Sequence, residues 1–164
     1  MKKIGVIDYY LDQYHFENYP SWIKKLSDGE MEIAYAWAKV EHEGGKSNAL
    51  CAKEQGVELL SSIEEVIEKS DFLIVMSPDN PEQHEELCKL PLQSGKLTYI
   101  DKTFATDRDA AIRIIDMAKK GNTPFFSTSA LRYSVEYENI KRDGIEFIAS
   151  RGPGKFGNYG IHQV

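Results

Sequence analysis

One lysine lies where its side chain could handle a proton. Lys102 follows directly on a strand-like apolar run and is flanked by Asp101 and Thr103. A lysine at the end of a strand can donate a hydrogen bond to a substrate hydroxyl and help the hydroxyl proton to leave. The same residue can also be an ordinary solvated lysine whose stem covers apolar surface. The residues alone leave both interpretations open.

The segment Asp8–Asp12 follows the first apolar run and contains two acids and two tyrosines. A pyrophosphate bound at such a turn needs small residues, because backbone N–H groups and the start of the next helix must approach it closely. Tyrosines add bulk there, and Asp8 and Asp12 add negative charge. The segment therefore predicts either a loop that does not hold a dinucleotide in the usual way or a loop with shifted phosphate contacts.

Histidine and cysteine spacing predicts no metal site, because none of these residues recurs at a metal-ligand interval. The chain has four histidines (His15, His42, His84 and His162) and two cysteines (Cys51 and Cys88). The distant cysteines are interpreted as reduced packing residues of a cytoplasmic protein, with a disulfide as the alternative.

Six short apolar runs alternate with helical segments along the chain. The runs are Lys3–Asp8, Met31–Ala38, Gly56–Leu60, Asp71–Ser77, Leu97–Phe104 and Thr123–Ser129. Their apolarity is continuous rather than alternating, which indicates strands covered on both faces. This order predicts an α/β fold with a doubly wound, mostly parallel sheet of the Rossmann type. Ligands of such sheets bind beyond the carboxyl ends of the strands, where Asp8 and Lys102 lie.

Helix signals lie between these runs. Pro20 and Ser21 predict the start of the first helix. Thr106 with Asp109 predicts the start of the last helix before the sixth run. The residues expected to face the core are Trp22, Ile23 and Leu26 in the first helix and Ile112, Ile115, Met117 and Ala118 in the last. A further helix is expected over 134–143 and a further strand over 145–150.

Composition limits the classes of partner. Apolar residues make up 41% of the 164 residues, and 20 basic residues against 26 acidic ones give a net charge of −6. With no basic run to offset that charge, neither nucleic acid nor an anionic membrane surface is expected as a partner. No apolar run approaches the ~18 residues that a membrane-spanning helix needs.

Three segments give the chain a family resemblance. They are DFLIVMSPDNPEQH (71–84), YIDKTFAT (99–106) and NYGIHQV (158–164). With the order of the elements, and with ALRYS at 130–134, they make the chain similar to the N-terminal part of the Gfo/Idh/MocA family. Members of that family are NAD(P)-dependent oxidoreductases that join a Rossmann domain to a second α/β domain and act on sugars, inositols and related polyols.

The resemblance implies roles for particular residues. Catalysis would involve Lys102 and His162, with Asn158 positioning the substrate. The residues implied in cofactor binding are Asp8, Tyr10, Trp37, Ser77, Pro78, His84, Asp101 and Lys102. The cofactor would be NAD or NADP, the substrate sugar-like, and the assembly a homo-oligomer. Residues 1–130 would form the Rossmann domain, and 131–164 a linker helix with the start of an incomplete second domain.

Departures from the family pattern weaken the implied activity. The three glycines of its phosphate-binding loop are replaced by Asp8, Tyr10 and Gln13. Trp37 replaces the acid that holds the ribose, and Asn158 replaces the catalytic aspartate. We therefore expect an NAD(P)-dependent oxidoreductase that is impaired or inactive as this chain, or else a non-catalytic binding or interaction module that has lost the dinucleotide.

Overall fold

The described part of the chain contains one six-stranded parallel sheet. The computed structural model describes residues 1–137, 140, 143–147 and 149. The strands are β1 (Lys2–Asp8), β2 (Met31–Ala38), β3 (Glu58–Leu59), β4 (Phe72–Val75), β5 (Thr98–Ile100) and β6 (Phe125–Phe126). Their order in the sheet is β3-β2-β1-β4-β5-β6, and every neighbouring pair is parallel. The predicted doubly wound parallel sheet is confirmed.

Helices connect the strands, and local capping fixes where several of them begin. Within the described residues they are α1 (Tyr14–Leu26), α2 (Asn48–Gln55), α3 (Ile63–Lys69), α4 (His84–Leu87) and α5 (Arg108–Lys120). The hydroxyl groups of Ser47 and Ser62 accept hydrogen bonds from backbone amides of the first turns of α2 and α3. Such caps satisfy N–H groups that have no partner inside the helix.

The sheet separates two hydrophobic clusters. Side chains of β1 alternate between its faces, so Val6 packs with α1 and α2, while Ile7 packs with α3, α4 and α5. Cys51 lies in the first cluster and Cys88 in the second. Both cysteines are free and buried, so the alternative of a disulfide between them is wrong.

The first helix begins earlier than the sequence suggested. Gln13 accepts a hydrogen bond from the His15 amide at 2.6 Å and caps α1, so Pro20 lies inside the helix rather than at its start. Phe16 is the residue of α1 that is fully buried. Trp22 and Leu26 were expected to face the core, but they are 42% and 83% exposed.

The last helix also differs in detail. Asp107, rather than Thr106, caps α5, and its carboxylate accepts from the Ala110 amide at 2.8 Å. In α5 Ile114 is buried, whereas Ile112, which was expected to face the core, is exposed. Ala118 is buried as expected.

The chain after β6 does not follow the expected pattern where it is described. Short 3-10 turns span Ala130–Tyr133 and Val135–Tyr137 in place of the start of an α-helix. Residues 145–147 lie in no strand. The division into a domain over 1–130 and a partial domain over 131–164 remains a prediction.

An apolar groove of about 500 Å³ lies on the α1 side of the sheet. Its lining includes Trp22 and Leu26 of α1, Leu97 before β5, and Phe126 of β6. All four side chains are partly exposed. The apolar residues of α1 that were predicted to face the core therefore border an open groove.

Candidate functional site

The carboxyl ends of three strands bring the candidate polar residues to one edge of the sheet. Asp8 ends β1, Ser77 follows β4, and Asp101 with Lys102 follows β5. Strands β1 and β4 are neighbours, and the sheet order reverses between them. Ligands of doubly wound sheets bind in the crevice at this point.

The carboxyl group of Asp8 lies inside this edge and is 1% exposed. One of its oxygens accepts from the Tyr9 amide at 2.7 Å, and the other accepts from Gln13 Nε2 at 2.8 Å. Burial raises the pKa of Asp8 to about 8, although these hydrogen bonds oppose the rise. At neutral pH the group is therefore largely protonated and places little negative charge at the crevice.

Three backbone donors at the start of α1, the amides of Leu11, Gln13 and His15, already have partners within the chain. The Leu11 amide donates to Asn48 Oδ1 at 2.8 Å, and the Gln13 amide donates to the Leu11 carbonyl at 2.8 Å. The His15 amide donates to the Gln13 side chain. A pyrophosphate held in the usual way takes its hydrogen bonds from amides of this loop and helix start. The residues present do not fit a dinucleotide at this position.

Tyr10 joins the loop after β1 to two neighbouring loops. Its ring stacks on His42 at a centroid distance of 4.4 Å, and His42 Nδ1 lies 2.9 Å from Asp12 Oδ2. The same Asp12 oxygen accepts from the Lys46 amide at 3.0 Å. Burial and the nearby Asp79 carboxylate raise the pKa of Tyr10. The tyrosine thus packs on the loop after β2 and lies close to Asp79 in the loop after β4.

Trp37, near the end of β2, is one of the residues that the resemblance implied in cofactor binding. Trp37 packs against the second hydrophobic cluster. Lys39 Nζ donates to Gln83 Oε1 at 2.9 Å and to Glu86 Oε2 at 2.6 Å, while Lys46 pairs with Glu54. Lys39 and Lys46 are therefore both engaged by carboxylates of the chain.

The turn after β5 places Lys102 beside buried polar side chains. Asp101 is 1% exposed, and its Oδ1 accepts from the Tyr99 hydroxyl at 3.0 Å. Asp101 Oδ2 has no hydrogen-bond partner and lies 3.9 Å from Lys102 Nζ. The fully buried His84 donates from Nδ1 to the Thr103 carbonyl at 2.9 Å. Burial lowers the pKa of His84, so its imidazole is neutral at pH 7.

A cleft of about 400 Å³ opens beside Lys102. Its polar lining residues include Ser127–Ser129 and Arg132. Phe104 and Phe125 also line it, with their rings stacked at 5.9 Å and 11°. The cleft thus combines cations, hydroxyls and an aromatic surface.

Other predicted site residues have simpler surroundings. Ser77 is buried and donates from Oγ to the Asn80 carbonyl at 2.8 Å, with Pro78 next in the chain. His162 and Asn158 lie outside the described residues. Within the described residues, no group of three or more His, Cys, Asp or Glu side chains is placed to hold a metal ion.

Sequence reasoning missed the side chains that close the loop after β1. Gln13 occupies the position of one of the family's glycines. The sequence therefore singled out this position, but it did not predict that the Gln13 side chain caps α1. Asn48 carried no signal, because its Oδ1 reaches Leu11 across 37 residues. Its partner could be found only from the folded chain.

A family model described as "Oxidoreductase family, NAD-binding Rossmann fold" matches residues 12–128, which is more than half of the chain. The chain belongs to the Gfo/Idh/MocA family. Among proteins with curated descriptions, none matches the sequence.

Solved structures share the fold of this Gfo/Idh/MocA chain. A dehydrogenase (MviM) from Clostridium difficile is 21% identical with a TM-score of 0.60, over 77% of this chain and 38% of its own. UDP-N-acetylglucosamine 3-dehydrogenase GnnA from Acidithiobacillus ferrooxidans is 17% identical with a TM-score of 0.56, over 76% and 36%. Biliverdin reductase from Synechocystis, solved with biliverdin and NADP+, is 15% identical with a TM-score of 0.58, over 77% and 37%.

The Gfo/Idh/MocA chain thus spans less than two fifths of the length of these three proteins. Identities of this size establish a shared fold. In the described part of the chain, no helix is long and apolar enough to cross a membrane.

Proposed function

We propose that this domain binds a sugar-like ligand in the cleft beside Lys102 and does not hold a dinucleotide on the amides that begin α1. The observation that carries the proposal is that three of these amides, those of Leu11, Gln13 and His15, are hydrogen-bonded inside the chain. A phosphate would have to replace these hydrogen bonds and also displace the side chains of Asp8 and Tyr10. The domain would then be a binding module of an oxidoreductase family.

The cleft supplies the groups that a hydroxylated ligand needs. Lys102 can donate up to three hydrogen bonds, and each serine or threonine hydroxyl can both donate and accept. Asp101 lies behind the ammonium group and is itself oriented by the Tyr99 hydroxyl. One structural relative is a dehydrogenase of a sugar nucleotide, which supports a sugar-like ligand here.

Titration with NADH and with NADPH, followed by nicotinamide fluorescence, tests the dinucleotide part. We expect no saturable binding up to about 1 mM, which corresponds to about −4 kcal/mol. A dehydrogenase with an intact glycine loop, titrated under the same conditions, confirms that the signal is detectable. Saturable binding well below that concentration, at one site per chain, would overturn the proposal.

The second candidate is an NAD(P)-dependent oxidoreductase that acts on a CH–OH group of a sugar or polyol. Lys102 favours it, because a partly buried ammonium group beside a cleft can hold a hydroxyl as its proton leaves. The loop after β1 would have to open before a dinucleotide could enter. Turnover of polyols with NAD or NADP, abolished by Lys102→Ala, would establish this candidate and exclude the binding module.

A further inference from the structure

We infer that the cleft beside Lys102 takes an anionic sugar, either a sugar acid or a sugar phosphate, in preference to a neutral polyol. The inference rests on the proposed sugar-like ligand and specifies its chemical class. Three features of the cleft carry it: its cations, its aromatic surface and its hydroxyl groups.

Two cationic side chains line the cleft of a chain whose net charge is −6. Lys102 is 17% exposed, and the carboxylate nearest to it, Asp101, is 3.9 Å away, which is too long for a hydrogen bond. Arg132 is exposed and forms no ion pair within the described residues. Elsewhere Lys39 and Arg113 are held by carboxylates at 2.6 and 2.7 Å. The cleft therefore keeps donor capacity for an anion.

The aromatic side of the cleft suits a sugar ring. Phe104 and Phe125 stack nearly parallel and present a partly exposed apolar surface. A sugar ring buries its C–H groups against such a surface, while its hydroxyls need hydrogen-bonding partners. The Ser127–Ser129 segment of the lining carries hydroxyl groups. The volume of about 400 Å³ lies within the range of about 300–1,000 Å³ that is typical of small-molecule sites.

Charge decides between an acidic and a neutral sugar. Hydrogen bonds from a cation to a carboxylate or phosphate are roughly twice as strong as neutral ones, and an arginine can bind either group with two parallel bonds. A neutral polyol would form no charge-assisted hydrogen bond between an anion and Lys102 or Arg132. We expect about a 10-fold difference in affinity, equivalent to about 1.4 kcal/mol.

Calorimetric titration of the purified chain compares four probes: glucuronate, glucose 6-phosphate, glucose and inorganic phosphate. We expect glucuronate or glucose 6-phosphate to bind about 10-fold more tightly than glucose. The stronger of the two identifies the source of the anion. Arg132→Gln should reduce that preference, whereas Arg108→Gln, an exposed arginine outside the cleft lining, should leave it unchanged.

The outcomes separate this inference from the proposed function. If glucose binds as tightly as glucuronate and glucose 6-phosphate, the charge preference is wrong although the sugar site stands. If inorganic phosphate binds as tightly as glucose 6-phosphate, the site recognises an anion only and the inference is overturned. If no sugar binds, the proposed function fails as well. Unchanged melting temperatures of both variants show that their folds are intact.

Discussion

Asp8 shows how one substitution changes the chemistry of a strand end. A glycine at this point would expose backbone N–H groups to a ligand, whereas the carboxyl group here accepts from the Tyr9 amide and from Gln13. The aspartate is also fully enclosed, which raises its pKa to about 8. The strand end therefore carries a buried proton instead of an open anion-binding turn.

The proton on Asp8 makes the stability of the fold depend on pH. The pKa of Asp8 is about 8 in the folded chain and near its ordinary 3.8 when unfolded, so the folded state binds more protons between these values. Stability should therefore fall as pH rises through this window. Asp8→Asn removes this titrating group. As pH rises, its free energy of unfolding should therefore increase relative to that of the wild type by up to about 1.4 kcal/mol per pH unit. Urea unfolding between pH 5 and pH 8 measures the difference.

Asp116→Asn provides the control, because that side chain is exposed on α5. It should keep the pH dependence of the wild type. If the difference in free energy of unfolding between Asp8→Asn and wild type stays constant from pH 5 to pH 8, Asp8 is ionised in the folded chain over that whole range.

Residue chemistry could be predicted from the sequence only where it depended on near neighbours in the chain. The position of Lys102 at a strand end was predicted, because apolar runs locate strands. The closed loop after β1 was not, because it depends on contacts of Asn48 and Asp79 with residues far away in sequence. The missing glycines indicated that the usual phosphate-binding loop is absent. The side chains that take its place could be identified only from the folded chain.

At the scale of elements, Asn48 fastens α2 to two loops. Its Oδ1 accepts from the Leu11 amide at 2.8 Å, and its Nδ2 donates to the Val40 carbonyl at 2.7 Å. Its own backbone amide donates to Glu41. The first residue of α2 therefore sets the spacing between the loops after β1 and β2.

Asn48→Ala should destabilise the chain by about 2 to 6 kcal/mol, because one buried and one partly buried backbone group would lose their partners at about 1–3 kcal/mol each. Chemical denaturation measures this loss. Asn18→Ala is the matched control, since the Asn18 side chain makes an exposed bond to the Tyr14 carbonyl. Equal losses of unfolding free energy in the two variants would show that the Asn48 hydrogen bonds stabilise the chain no more than the exposed Asn18 bond does.

Helix boundaries show why element prediction was only partly right. Proline favours the first turn of a helix, so Pro20 indicated a start there. The helix instead begins at Tyr14, because Gln13 caps it and Phe16 is anchored in the core. Asp107 likewise replaced Thr106 as the cap of α5. The sheet type was right, because continuous apolar runs depend on burial rather than on the chemistry of helix ends.

For the whole molecule, the apolar groove beside α1 is the main exposed hydrophobic feature among those described. Leu26 at its rim is 83% exposed and Phe126 is 48% exposed. Exposed apolar patches of this kind favour association. The expected homo-oligomer therefore remains a prediction, as does a cytoplasmic location.

Leu26→Lys should weaken self-association, because it places a charge at the rim of the groove without touching the buried core. Sedimentation velocity over a range of protein concentrations measures the association constant. We expect this constant to be about 10-fold lower, or more, for the variant than for wild type. Leu50→Lys, on an exposed face of α2, is the control. A wild-type chain that sediments as an 18.6 kDa species at every concentration would refute the prediction.

The closed loop after β1 has a consequence for protein engineering. Asp8 is tied to Gln13, Tyr10 to His42, and Gln13 in turn to the His15 amide. A glycine at Asp8 or at Gln13 would deprive the other side chain of its hydrogen bond, and a glycine at Tyr10 would remove the stacking on His42. Asp8 and Gln13 are thus epistatic: restoring a glycine-rich turn requires that both be replaced together, because either single replacement leaves a buried polar group without its partner.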